Sequence, residues 1–356
     1  MNIPRRNSIR TSLLGCSLIS TAIAMACFAL VPAGQPISHS HAQLSSFSGY
    51  KPSDPLGVGT ECAGAPGVIL VPPFNVDYSC ANLGSVPGAE TNYGGLTLKY
   101  DDPNTLLIGG QFNSPGHIYQ IAVVRDADMH ITGFSGEATL YPSEGSTLGE
   151  DVDGGVVFGP GNVLFITKYP DNQLEQDKPG SIAPDKVIDL DPLGIVHSVG
   201  AISFVPEGFP GAGSMKIVSF DGGGWYHCEY SPDGNGTYNI DSATIRSQID
   251  GGPEGIAFVR RGSPDFPANS VLIAEYSSAT VVTAPLDSNG DPIVANLQSF
   301  MEGFNGAEGA CIDPLTGDLL LSSFDLNQVI RVSGFAQPRA TPTPRPRPTP
   351  RPRPRS

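Results

Sequence analysis

Between residues 67 and 335 the chain consists of short apolar and β-branched runs separated by clusters of Gly, Pro, Asp and Asn. Such runs bounded by turn formers predict β-strands. Five of them open on a glycine: Gly95-Leu-Thr-Leu, Gly155-Val-Val-Phe, Gly200-Ala-Ile-Ser-Phe, Gly255-Ile-Ala-Phe and Gly309-Ala-Cys-Ile, at spacings of 60, 45, 55 and 54 residues. Each is followed by a polar turn, such as Asp101-Asp-Pro-Asn or Asp313-Pro-Leu-Thr-Gly-Asp. A second run then ends on an aromatic: Phe112, Tyr169, Phe220, Tyr276 or Phe324. Third runs are predicted over 117–124, 186–190, 224–230, 280–286 and 328–332. Fourth runs follow acidic hairpin turns at 130–134 and 293–300.

Four strands per unit, repeated at this period, predict an all-β chain folded as a single β-propeller of five four-stranded blades. A β-sandwich with coincidental spacing is the alternative. One blade cannot bury both faces of its sheet, and stacking neighbours around an axis does so. First strands crowd the axis, which gives their opening glycines a steric reason. The aromatics closing the second strands are expected to fill space between blades. The last unit shows three strands, so either 67–71 or 76–80 should supply its fourth and close the ring. Six blades would follow if residues 50–90 form more than a closing strand.

Composition supports this architecture. The 43 glycines and 34 prolines among 356 residues disfavour a long helical protein, and without a strict Gly period they exclude collagen. Apolar residues make up 39% of the chain, enough for a core. The formal charge of -15 is unevenly spread. Residues 1–42 carry Arg5, Arg6 and Arg10 and no acid, and 336–356 carry six arginines and no acid, which leaves 11 basic residues against all 35 acids between them. A body so acidic repels nucleic acid and anionic lipid and suits solubility, a cation, or a partner with basic groups.

The ends read as separate units. Basic residues before an apolar stretch over 13–31, then Ser40-His41-Ala42, predict an export signal over 1–42, with a retained anchor as the alternative. Residues 43–66 form an N-terminal extension, 67–335 the propeller, and 336–356 a disordered Pro/Arg tail. Alternating proline favours an extended spacer or a ligand for an anionic surface. The expected location is secreted or at the cell surface or envelope, with the periplasm as a further compartment and no integral span after signal removal. Export permits disulfides. Cys62 and Cys80 can close a 19-residue loop, while Cys228 and Cys311 read as buried small hydrophobes.

Candidate chemistry sits where the first strands open. The residues before their glycines, Gly94, Gly154, Val199, Glu254 and Glu308, should point at the channel, with Asp151 and Asp153 close by. Glu254 and Glu308 belong to adjacent units. Two close carboxylates share a proton or bind a cation, and with Asp153 they could hold Ca²⁺ or another divalent cation. The alternative is that each accepts backbone amides at the rim. Turns after the second-strand aromatics offer Asn113, Asp171, Asn172, Asp221, Glu275, Asp325, Asn327 and Lys168 as a polar pocket or as ordinary loop formers. Asp287-Ser-Asn-Gly-Asp291 and Asp233-Gly-Asn-Gly look like openings of calcium loops, but position twelve of the first is Gln298, so hairpin turns are expected. Asn235-Gly-Thr237 fits a glycosylation sequon. His117, His130, His197 and His227 form no short-spaced metal pair. No nucleophile elbow, P-loop or Rossmann glycine pattern is present.

The repeated opening, with Pro253-Glu-Gly-Ile-Ala-Phe and Ala307-Glu-Gly-Ala-Cys-Ile-Asp-Pro, resembles secreted bacterial propellers, broadly the NHL and SMP-30/gluconolactonase-like families. Asn162-Val-Leu-Phe-Ile-Thr-Lys-Tyr-Pro and Asn327-Gln-Val-Ile-Arg-Val-Ser-Gly-Phe look like a narrower group of exported, surface-sorted propellers. The resemblance spans about 67–335. Here the Pro/Arg tail stands where that group has a hydrophobic sorting helix. The lactonase resemblance implies one divalent metal on the axis, held by a glutamate, two asparagines and an aspartate. Glu254 or Glu308 matches the glutamate, and the others find no match in family order. The favoured function is a non-catalytic exported propeller binding a protein or glycan. A metal-dependent lactonase or esterase-like hydrolase, with Ca²⁺ or Zn²⁺, is the first alternative. A structural surface or matrix component attached through its tail is the second.

Overall fold

The computed structural model describes residues 58–110 and 116–336. The predicted signal over 1–42, most of the extension, the tail from 337 onward, and Phe112 and Asn113 lie outside the described residues. Three short strands come first: β1 (Thr60–Cys62), β2 (Ala65–Leu70) and β3 (Ser79–Gly84). The strands β4 (Tyr93–Lys99), β5 (Asp102–Gly110), β6 (His117–Arg125) and β7 (Ile131–Leu140) pair antiparallel in sequence order as the first sheet. The second contains β8 (Val152–Phe158), β9 (Leu164–Lys168), β10 (Gln173–Asp177) and β11 (Lys186–Asp189). The third contains β12 (Val199–Phe204), β13 (Met215–Ser219), β14 (Gly224–Pro232) and β15 (Tyr238–Gln248). The fourth contains β16 (Pro253–Val259), β17 (Ser270–Glu275), β18 (Thr280–Pro285) and β19 (Gln298–Glu302). In the last sheet β20 (Ala307–Ile312), β21 (Leu319–Ser323) and β22 (Gln328–Ser333) take β3 as their outer strand.

The sheets form a closed ring. β4 packs on β8, β8 on β12, β12 on β16, β16 on β20, and β20 returns to β4. The protein is therefore a β-propeller of five four-stranded blades, as its repeat predicts. Of the two candidate closing segments, the second does the closing. The first becomes β2, which pairs with β19 and carries β1 outside it, extending the fourth blade to six strands. A disulfide joins Cys62 of β1 to Cys80 of β3 and so ties the fourth blade to the fifth at the point of closure.

One strand assignment changes. The third strand of the second blade is Gln173–Asp177, and the run at 186–189 is its outer, fourth strand. Among the described residues no helix is long and apolar enough to cross a membrane.

Crowding at the axis is severe. A Cβ on Gly255 would lie 2.3 Å from the carbonyl oxygen of Glu308, and one on Gly154 would lie 2.0 Å from that of Glu254. Each first strand also slips register against its second strand at its opening, between Tyr93 and Leu96, Val152 and Val156, Val199 and Ile202, Pro253 and Gly255, and Ala307 and Ala310. Such bulges re-aim side chains out of the pleat. Hydroxyls of the second strands fill the gap. Gly155 N–H donates to Thr167 Oγ1 (2.8 Å), which donates to the Gly200 carbonyl of the next blade (2.6 Å). Ser322 makes the equivalent bridge between Gly309 N–H and the Gly94 carbonyl.

Candidate functional site

The bulges bring Asp153, Glu254 and Glu308 together at one mouth of the channel. One ligand atom from each lies within 4.8 Å of the others, and the three residues are at most 4% exposed. The small opening residues make the room: a Cβ on Gly154 or Gly200 would stand 2.8 Å from Glu254 Oε2. Asp153 Oδ2 and Glu254 Oε2 are buried and find no hydrogen-bond partner among the described residues. The Gly154 amide contacts both Asp153 and Glu254 and works against the effect of burial, yet leaves these two oxygens without a partner.

A cavity of about 140 Å³ opens above the carboxylates, walled by Tyr169, Phe220, Tyr276 and Phe324. These are the aromatics that close the second strands. They meet between neighbouring blades, as expected, but at the channel mouth: Phe220 and Tyr276 pack edge to face with centroids 5.9 Å apart, as do Tyr276 and Phe324. Their periodicity in the sequence was visible, and their convergence on the axis was not. Tyr276 donates to Asp325 Oδ1 (3.2 Å), and its hydroxyl is pushed up to about 12, by burial first and by Asp325 second.

Among the described residues no lysine, arginine or histidine lines this cavity. Lys168 is turned away, with its ammonium donating to Glu175 Oε2 (3.1 Å) and to the Glu150 carbonyl. Burial pushes the Asp153 carboxyl up to about 8. It raises Glu254 and Glu308 well above the usual carboxylate range, and the charge of Asp153 adds to the effect in both. The cluster can therefore either hold protons at neutral pH or give them up to a cation. A donor set made only of carboxylate oxygens suits a hard divalent ion, Ca²⁺ above Zn²⁺, which favours nitrogen and sulfur.

The other turn residues serve the fold. Asn172 donates to Asp191 Oδ1 (2.6 Å), Glu275 accepts from Ser278 and Thr280 (both 2.7 Å), and Asn327 accepts from the Asn92 amide. Asp151 adopts a left-handed turn (φ 59°) and does not line the cavity. The two calcium-loop look-alikes are hairpin turns: Asp287 Oδ1 accepts the amides of Asn289 and Asp291, and Asp233 Oδ1 accepts that of Asn235. Cys228 is buried, whereas Cys311 is only half-buried, because its strand borders open space at the other end of the channel. No asparagine lines the acidic cavity among the described residues, so the lactonase-like ligand set is not reproduced there.

No family model and no curated protein matches the chain. Among solved structures, it is similar to a carbohydrate-active enzyme of family AA12 from Trichoderma reesei, with 8% identity and a TM-score of 0.45, over 78% of this chain and 100% of that one. It is also similar to the PQQ-bound aldose sugar dehydrogenase of Streptomyces coelicolor, with 14% identity and a TM-score of 0.37, over 70% of this chain and 83% of that one. An auxiliary nutrient binding protein from Bacteroides ovatus shares 11% identity at a TM-score of 0.40, over 72% of this chain and 76% of that one. Function at these distances rests on the chain's own residues.

Proposed function

We propose that the chain is an exported binding propeller that holds a hard divalent cation, Ca²⁺ being the best match, between Asp153, Glu254 and Glu308. Its extracellular protein or glycan partner meets the aromatic collar above that ion. The reading is carried by the two buried carboxylate oxygens, Asp153 Oδ2 and Glu254 Oε2, that no group among the described residues satisfies. A cation supplies what they lack and removes the repulsion among three carboxylates at once. Flat aromatic faces beside it suit a sugar ring or a partner's apolar side chain. The Cys62–Cys80 disulfide supports an oxidising, exported setting.

The same ion could activate water, which is the hydrolase alternative. Among the described residues the cavity wall holds no histidine, serine or cysteine to assist it, and this favours binding. Elemental analysis of the purified chain, paired with a lactone and ester screen and a glycan array run with and without chelator, separates the two. One divalent ion per chain, chelator-sensitive glycan or protein capture, and no turnover are expected. Hydrolysis of a lactone that Glu308→Gln abolishes would replace the binding reading.

A further inference from the structure

At the opposite end of the channel the first strands diverge around a second cavity, of about 330 Å³, lined chiefly by their apolar side chains. This is at the lower end of the range for small-molecule sites. Its walls include Phe204, Phe209 and Phe258. Among the described residues one charged side chain lines it: Arg260, whose guanidinium carbon stands 5.2 Å from the Phe209 ring centroid. Arg260 Nη2 donates to the Glu207 carbonyl (3.1 Å), and the residue forms no ion pair among the described residues. Lys99, Arg125, Lys168, Lys178, Lys186, Lys216 and Arg331 each have a carboxylate within 4 Å, whereas Arg246, Arg260 and Arg261 have none among the described residues, and of these three Arg260 alone lines this cavity. Ala336 also lines the cavity, and the six arginines of 337–356 follow it in the chain. The channel thus has an acidic end and, opposite it, an apolar end with an unneutralised cation.

We infer that this second cavity binds a small amphipathic organic acid. The apolar body sits among the phenylalanines, and the carboxylate takes the free N–H groups of Arg260. Dispersion and burial provide affinity for the chain, and a charge-assisted hydrogen bond selects the acid over an alcohol or amine of the same length. The site shares no side chain with the acidic mouth, so it stands independently of the cation there.

Decanoate is a suitable probe, with decylamine as its charge-reversed counterpart. Calorimetric titration of the full chain should show one decanoate site. Decylamine should not bind. Arg260→Gln should lower the melting temperature by no more than about 4 °C, for the lost contacts with Phe209 and Glu207, and weaken decanoate by about tenfold or more, the scale of one charge-assisted hydrogen bond. Glu254→Gln/Glu308→Gln should bind decanoate normally. Equal decanoate affinity in Arg260→Gln or equal binding of decylamine would each overturn the inference.

Discussion

Lys216 is fully buried, and its ammonium donates to Asp291, to the Asn289 carbonyl (3.1 Å) and towards His227. Trp225 Nε1 donates to the same Asp291 oxygen (2.9 Å). Removing one charge of a buried pair strands the other. Asp291→Asn, which keeps an acceptor for Trp225, should therefore cost about 3–5 kcal/mol in a denaturant melt. A loss below about 1 kcal/mol would mean the pair behaves like a surface one. Nothing in the sequence couples positions 216 and 291. The turn at 287–291 was legible from its Asp and Gly, but the ion pair it buries was not. The axial carboxylates were legible for the opposite reason: Glu254 and Glu308 each precede a repeated glycine and Asp153 stands two residues before one, so the repeat itself placed them.

Those carboxylates also set a pH dependence. Asp153 is raised to about 8, Asp177 to about 9, and Glu254 and Glu308 are raised as well, burial being the first cause in each. Unfolded carboxyls titrate near pH 4. Above that pH the unfolded chain sheds protons that the folded chain keeps, so their contribution to stability is whole in acid and is lost as pH rises through the folded values. In chelator, the melting temperature should fall between pH 5 and pH 8, by less in Glu254→Gln/Glu308→Gln, where Asp177 still titrates. A flat profile in wild type would show that the cluster does not hold its protons.

At the level of strands, the opening bulge is the device that builds the site. Gly154→Ala places a Cβ 2.0 Å from the Glu254 carbonyl oxygen, and backbone must move. Overpacking of this kind costs about 1–3 kcal/mol, and it should lower both thermal stability and cation affinity. A variant as stable as wild type would show that the first strands have room to spare. Most strands were legible because apolar runs met turn formers. Strand β10, Gln173-Leu-Glu-Gln-Asp, was not, because four of its five residues are polar, yet residues 174–177 are buried. Partners elsewhere make this tolerable for two of them, while both carboxylate oxygens of buried Asp177 find no partner among the described residues. Glu175 accepts from Gly149 N–H and Lys168, and Gln176 exchanges hydrogen bonds with the Tyr238 backbone in the neighbouring blade. Hydropathy cannot see such pairings. The aromatic collar escaped for a related reason: periodicity revealed that the rings recur, but whether they face a neighbour or the axis depends on strand twist.

For the molecule as a whole, closure and polarity follow from how the ring is joined. The fifth blade borrows β3 from the N-terminal side, and the Cys62–Cys80 bond fixes that join. All five first strands then run the same way, from an acidic mouth to an apolar one. At the acidic mouth, a cation would bind the folded chain only, since unfolding scatters the three carboxylates, and it would stabilise the fold by mass action. The melting temperature at pH 8, with Ca²⁺ and with chelator, for wild type and for Glu254→Gln/Glu308→Gln therefore tests the central claim most directly. Chelator should lower the melting temperature of wild type and leave that of the double variant unchanged. An equal response in both proteins would contradict a cation held by Asp153, Glu254 and Glu308.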